Sequence, residues 1–226
     1  MQKNILQEAI NLKKEKKEFS IVTDLSTAKN YIYCPDTKMN EDLQNFSKAI
    51  DLAFKKKTNG IIDNTQLFVE NYHRPIQVVI VGAVHIAQYL CEFTKHLNLE
   101  TIIVDPRGYF ASDKRFPDVK VINKWPEEAF KQIHLTSKSA LIALTHDPKI
   151  DDPAIKKALQ EKCFYIGALG SKKTHHNRCE RLQTAGFTQE QINSIHGPIG
   201  IKLGGRSASE IALSVVAQLV SEIYKS

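Results

Sequence analysis

The residues best equipped for chemistry in this chain gather just after short apolar runs. Leu144-Thr145-His146-Asp147 ends one such run with an imidazole beside a carboxylate. That pair can move protons or bind a metal ion, while Asp147 is equally suited to cap the turn before Pro148. A second segment, Tyr165 to His175, passes through Gly167 and Gly170 and then reads Ser171, Lys172, Lys173, Thr174. A helix starting there turns unpaired backbone N–H groups and the positive end of its dipole outward, with Arg178 and Arg181 continuing the charge. Such a start suits a phosphate-like anion, and it is also an ordinary capped helix; residue types alone leave both open. The G-x-x-x-x-G-K-[ST] pattern of a Walker loop does not occur here.

A third segment is Gly82-Ala83-Val84-His85-Ile86-Ala87, following Val78 to Val81. A dinucleotide fingerprint is G-x-G-x-x-G/A with an acid about 20 positions on. Gly82, Ala87 and Asp105 fit, but Val84 stands where a glycine lets a pyrophosphate approach the backbone. The turn therefore reads either as an inert strand-to-helix connection or as a modified ligand pocket, with Arg107 beside the acid. His196, in the glycine-rich connector Ile195 to Ser207, lines a pocket or supports a turn. His175 and Cys179 share a helix face, yet two ligands do not make a zinc site. Cys163 and Cys179 read as small buried residues, and Cys34, beside Pro35, is the best candidate for an exposed thiol.

Elements of alternating type must hold these residues. Val78–Val81 is a continuous apolar run, as expected of a strand buried on both faces, and Thr101–Val104, Val119–Ile122, Ala140–Leu144 and Cys163–Ile166 are the strands expected to follow it. Helices are expected between them: one carrying Ile86, Leu90, Phe93 and Leu97, one over Glu127–Gln132 opened by Pro126, and one to Gln160 capped by Asp152-Pro153. Another runs from Ser171 to Ala185 and stops at Gly186. Thr188 with Gln191, and Ser207 with Glu210, are capping boxes. The last helix carries the stripe Ala212, Val215, Val216, Leu219, Val220, Ile223, for a core or a dimer contact. The alternation implies an α/β fold with a Rossmann-like parallel sheet over residues 75–226, binding ligands at the carboxyl ends of its strands.

Residues 1–74 form a small, divergent α+β region: a polar helix over 1–17, strands at Phe19–Thr23, Tyr31–Cys34 and Thr65–Glu70, and a helix over Asn40–Lys57. The lysines there, including Lys13, Lys14, Lys16, Lys17 and Lys55 to Lys57, are interspersed with glutamates in the first helix and read as solvated faces.

The chain has 226 residues and a formal net charge of +6, which favours anionic partners. Its 42% hydrophobic and 25% charged residues are ordinary for a globular protein. No apolar stretch is long enough to span a membrane, and no apolar signal core opens the chain. The four cysteines show no C-x-x-C pair, against a zinc knuckle or a disulfide framework, so a reducing cytoplasm is expected. Basic charge alone, without aromatic interleaving or a reading module, gives no case for a nucleic-acid binder.

Taken together, Tyr165 to His175, His196 to Gly205 and Ser209-Glu210-Ile211-Ala212 resemble the C-terminal domain of the XdhC/CoxI family. Leu144-Thr145-His146-Asp147, Asp105-Pro106-Arg107 and Phe116-Pro117 add to the likeness, which covers about Val78 to Glu222. Those proteins are accessories of xanthine dehydrogenase and related molybdenum enzymes. The resemblance implies a non-catalytic chaperone that binds molybdenum cofactor (molybdopterin), assists its sulfuration and hands it to a xanthine dehydrogenase-type molybdenum hydroxylase. A cysteine desulfurase partner and a homodimer fit that picture, and NAD(P) is the alternative ligand. It also implies that Gly170, Ser171 and Lys172 grip the cofactor's phosphate, with Gly82, His85, Asp105, Arg107, His146, Asp147, Gly167 and His196 lining the same crevice. Two departures stand out. Val84 replaces a glycine of the family's G-A-G-H turn, and its N-terminal G-S-x-P-R and glycine-cysteine-acid segments have no counterpart in residues 1–74.

Overall fold

The computed structural model describes residues 2–15, 17–35 and 37–225 and divides into two compact units, Met1–Arg74 and Pro75–Ser226. In the first, Phe19, Ile21 and Val22 are all buried, though adjacent strand residues point to opposite faces. Their sheet must therefore be covered on both sides. It contains β1 (Phe19–Asp24), β2 (Lys29–Tyr33), β3 (Gly60–Ile61) and β4 (Leu67–Tyr72), antiparallel in the order β2-β1-β4-β3. Phe19 and Ile21 pack with Ala9 of α1 (Lys3–Lys14). Val22, Leu67 and Val69 pack on the other side with Ile50 and Phe54 of α2 (Ser47–Lys55). The expected helix over Asn40–Lys57 is divided: Asn40 caps a 3-10 turn, Glu41–Phe46, before α2 begins. Of the expected first helix, Met1 and Lys16 lie outside the described residues. Lys13, Lys14, Lys17 and Lys55 to Lys57 are exposed. Cys34 is only half-buried and packs beside Phe19 and Ile21.

The second unit contains β5 (Gln77–Val81), α3 (His85–His96), β6 (Glu100–Val104), β7 (Lys120–Ile122), α4 (Pro126–Ala129), β8 (Ser139–Ala143) and α5 (Pro148–Gln160). β9 (Tyr165–Ala168), α6 (Lys172–Thr184), α7 (Gln189–Asn193), β10 (Ile195–His196) and α8 (Ala208–Ile223) complete it. Its six strands pair in the order β10-β9-β8-β5-β6-β7, every neighbour parallel. Numbered within the unit, that is the Rossmann order 3-2-1-4-5-6, whose direction reverses between the first and fourth strands, here β5 and β8.

Alternate residues of each strand feed opposite layers. Val79, Val81 and Leu141 pack with Ala154 and Ile155 of α5 and Leu182 of α6. Val78, Ile80 and Ile142 pack with Leu90 of α3 and with Ala212, Val215 and Leu219 of α8. The final apolar stripe is thus core on this face, and both capping boxes form as their spacing predicts.

Three local expectations are corrected. α5 starts a turn before Asp152-Pro153, because Asp147-Pro148 carries the same cap-and-proline pattern and Asp147 accepts from the Lys149 N–H at 2.9 Å. Pro153 consequently sits inside the helix. The helix at Glu127 is a single turn, Pro126–Ala129. The connector at His196 contributes a sixth strand, too short for any period-2 pattern to reveal.

Candidate functional site

At the carboxyl end of β5 the chain turns sharply. Gly82 has φ +111°, and a Cβ on it would lie 2.8 Å from Thr145 Cγ2, so this crossing toward β8 requires glycine. Val84 then opens α3 in extended conformation and packs its side chain against the core.

The turn is tied to β6 by Asp105, which is fully buried. Its Oδ2 accepts from the Ala83 N–H at 2.7 Å and from Arg107 Nη2 at 2.8 Å; its Oδ1 accepts from Arg107 N and Nε, both at 2.9 Å. A carboxylate offers about four lone-pair sites, and four protein donors fill them. Burial pushes this carboxyl up, but the Arg107 and Ala83 hydrogen bonds prevail and hold it below its usual range. Arg107 also stacks over Phe110, 4.8 Å from the ring centroid. Arg115, which no sequence motif marks, donates to the carbonyls of Ala83 and Phe110, both at 2.7 Å, and ties the same turn to the loop after β6. His85 is exposed and sits 3.1 Å from Gln88 Oε1.

At the end of β8 the organising residue is Asp151. It is 1% exposed, and its Oδ1 accepts from Thr145 N and Oγ1 at 3.2 and 2.7 Å. Its Oδ2 accepts from His146 N at 3.1 Å. Burial pushes Asp151 up, opposed by those bonds and by the charge of Arg178. His146 is thereby held at φ +61°, an uncommon conformation for a residue with a Cβ, and its side chain is not buried. Asp147 is the α5 cap, the second of its two expected roles.

The third strand end is β9. Gly167 lies inside this strand, fully paired, where a Cβ would fall 2.3 Å from Ile199 Cδ1 and 2.9 Å from the Tyr165 hydroxyl. It makes room for packing. Gly170, at φ +146°, turns the chain into α6, and Ser171 Oγ accepts from Thr174 N at 3.1 Å. Along α6, Lys173, Asn177 and Arg181 follow at i, i+4 and i+8 and share a face. With His146, Thr174 and Arg178 they line a cavity of about 270 Å³ between α5 and α6. Lys172 does not line it.

Asp152 contributes to the cavity wall and forms a two-pronged ion pair with Arg181, at 2.5 Å to Nε and 3.0 Å to Nη2. Arg178 is 1% exposed. Its Nη2 donates to the Leu169 carbonyl at 3.1 Å and lies 3.8 Å from Asp151. Its Nε and Nη1 are buried with no hydrogen-bond partner among the described residues. Burial depresses this guanidinium, against the pull of Asp151 and Asp152.

His196 stacks on Tyr165, centroids 4.9 Å apart, and is half-buried. His175 lies where a Cβ on Gly197 would stand, with Nε2 3.5 Å from Cys179 Sγ. Burial raises the Cys179 thiol and pushes Cys163 and Cys91 up to about 12, the behaviour of inert thiols. Among the described residues no group of three or more His, Cys, Asp or Glu could hold a metal ion, and no helix is long and apolar enough to cross a membrane.

Six parallel strands in this order, with cationic side chains along the carboxyl edge, define a Rossmann-type α/β domain with an anion-favouring rim. Residues 78–219 match the family model described as the XdhC Rossmann domain, and the chain belongs to that family. It is 36% identical over 104 residues to the molybdenum cofactor insertion chaperone PaoD of Escherichia coli, covering 46% of this chain and 32% of PaoD. It is 24% identical over 187 residues to a probable xanthine dehydrogenase subunit of Bacillus subtilis, covering 82% of this chain and 52% of that one. The chain thus spans about half or less of the length of these curated relatives. The crystal structure of a xanthine dehydrogenase from Bacillus halodurans superposes with a TM-score of 0.75 at 21% identity, over 98% of this chain and 64% of that one, a likeness of fold.

Proposed function

We propose that this chain binds molybdenum cofactor as cargo and serves its insertion into a xanthine dehydrogenase-type molybdenum hydroxylase. The observation that carries this reading is the similarity to PaoD, a molybdenum cofactor insertion chaperone, within a shared XdhC Rossmann domain. The rim chemistry supports it. The cargo carries a phosphate, and the strand ends present Arg107, His146 and the Gly170-Ser171-Lys172 start of α6 along one edge. Under this reading the protein acts in the cytoplasm, where free cysteines stay reduced, as a homodimer of the CoxI-like type, with a cysteine desulfurase supplying sulfur to the bound cofactor.

The nicotinamide alternative draws on the strand order but needs a free acid at the end of β6 for the ribose hydroxyls. Asp105 already serves four protein donors, and Val84 stands where the dinucleotide fingerprint has its second glycine. Cargo binding is therefore the better reading.

The test is retention of molybdenum by the purified full chain after incubation with molybdenum cofactor, measured by ultrafiltration and elemental analysis, with NAD(H) titrated in parallel. Near-stoichiometric molybdenum is the expected outcome, and its loss in Lys172→Ala would put the cofactor's phosphate at the Gly170 start of α6 rather than elsewhere on the rim. No retained molybdenum would sink the proposal, and saturable NAD(H) binding beside it would favour the nicotinamide alternative.

A further inference from the structure

The cavity between α5 and α6 has features that core packing does not require. A buried arginine normally finds partners for its N–H groups, because leaving them bare forfeits their hydration with nothing in return. Arg178 is 1% exposed, yet Nε and Nη1 have no hydrogen-bond partner among the described residues. It lines a cavity that also presents Lys173, Asn177 and Arg181 from the same helix, close to the α6 N-terminus. The two carboxylates on the opposite wall are already engaged. Asp152 is held by Arg181, and Asp151 by the backbone and hydroxyl donors of Thr145 and His146. Asp151 also lies 3.8 Å from Arg178, so three cationic side chains face two carboxylates, which leaves one positive charge and the Nε and Nη1 donors of Arg178 uncompensated.

We infer that this cavity is a binding site for a tetrahedral phosphate dianion, either free or as the terminal phosphoryl group of a larger ligand, held by Arg178 and Lys173 with Asn177 beside it. Its size sets the ligand class. At about 270 Å³ it lies below the roughly 300–1,000 Å³ of sites that enclose drug-sized molecules, so it takes a phosphoryl group and leaves the rest of any ligand outside. The α6 dipole adds to the attraction, since the cavity flanks that helix's first turns. The site differs from the Gly170-Ser171-Lys172 cradle, where Ser171 Oγ already caps Thr174 and Lys172 takes no part in the cavity wall. Its existence rests on this geometry alone; only its assignment to the cofactor's phosphate rests on the cargo reading above.

The experiment is calorimetric titration of the full chain with inorganic phosphate at ionic strength matched with sodium chloride. Equimolar, saturable binding is expected, weakened about tenfold in Lys173→Ala, as for loss of one charge-assisted contact. Arg178→Met should abolish it and Arg178→Lys should partly restore it, while Arg206→Ala, outside the cavity, leaves it unchanged. Should Arg178→Met fail to fold, exposed Lys173 decides the matter. Phosphate and molybdenum cofactor excluding each other would assign the cargo's phosphoryl group; both binding together would assign free phosphate. Either result upholds the site. No saturable phosphate binding, or equal affinity in Lys173→Ala and wild type, overturns it even if molybdenum is retained. Phosphate binding without molybdenum retention overturns only the cargo reading.

Discussion

Replacing Asp105 by asparagine removes one charge and converts one acceptor atom into a donor without changing shape. The amide oxygen of Asp105→Asn can keep two of the four hydrogen bonds now made to Arg107 and Ala83. The new –NH2 group then faces two donors in a fully buried position. Breaking a buried charge pair costs about 3–5 kcal/mol, and stranding a buried donor about 1–3 kcal/mol. The Arg107 side chain is 38% exposed and can regain water, so the lower part of the range applies, about 3 kcal/mol. For a unit of this size that corresponds to a fall in Tm of about 6–12 °C.

The assay is urea unfolding followed by tryptophan emission. Trp125 is the sole tryptophan and lies in the Pro75–Ser226 unit, so the signal reports that unit. The pH dependence gives a second check. Asp105 titrates below its ordinary 3.8 in the folded state, so its contribution is fully present above about pH 4. It is lost as pH falls through the folded pKa. Wild type and Asp105→Asn should therefore differ fully at pH 7 and converge in strong acid. A difference under about 1 kcal/mol at pH 7 would refute the view that this carboxylate anchors the Gly82 turn.

Three further outcomes are expected. His146→Gly should be at least as stable as wild type and about 1 kcal/mol more stable than His146→Ala by thermal melting, because φ +61° costs any residue with a Cβ; the reverse order would discount strain at this position. Gly167→Ala should cost about 1–3 kcal/mol, since its methyl would overlap Ile199 Cδ1, and a neutral effect in denaturant titration would mean that β9 and Ile199 move apart freely. Burial holds His175 below its ordinary 6.5, so its neutral form favours the fold above that pH and stability is lost as pH falls through the folded value. His175→Gln should flatten the decline in stability between about pH 7 and 5, and an unchanged slope would assign it to other groups.

Much of the architecture is local and therefore legible without coordinates. The apolar runs at Val78, Thr101 and Ala140 are strands because only a two-faced burial tolerates such continuity. The Thr188 and Ser207 capping boxes mark their helices because a cap is a bond between residues three apart. The basic face Lys173, Asn177, Arg181 is equally readable from its spacing, although the glycine turn at Gly170 draws the expectation toward Lys172 instead. Where two local signals compete, as with Asp147-Pro148 and Asp152-Pro153, pattern cannot rank them. The capping bond of Asp147 and the ion pair of Asp152 with Arg181 do.

By itself the sequence determined the long strands and helices of the second unit, the parallel α/β class and the family, since each depends on periodicities and motifs within short windows. Only the tertiary structure decided what the chemically able residues do. Asp105 turned inward to Arg107, Gly167 gave its space to Ile199, and Arg178, twenty-seven residues from Asp151, came to lie beside it with two nitrogens unpartnered among the described residues. Those outcomes depend on which strands and helices become neighbours, and no spacing along the chain encodes the distances across a folded sheet.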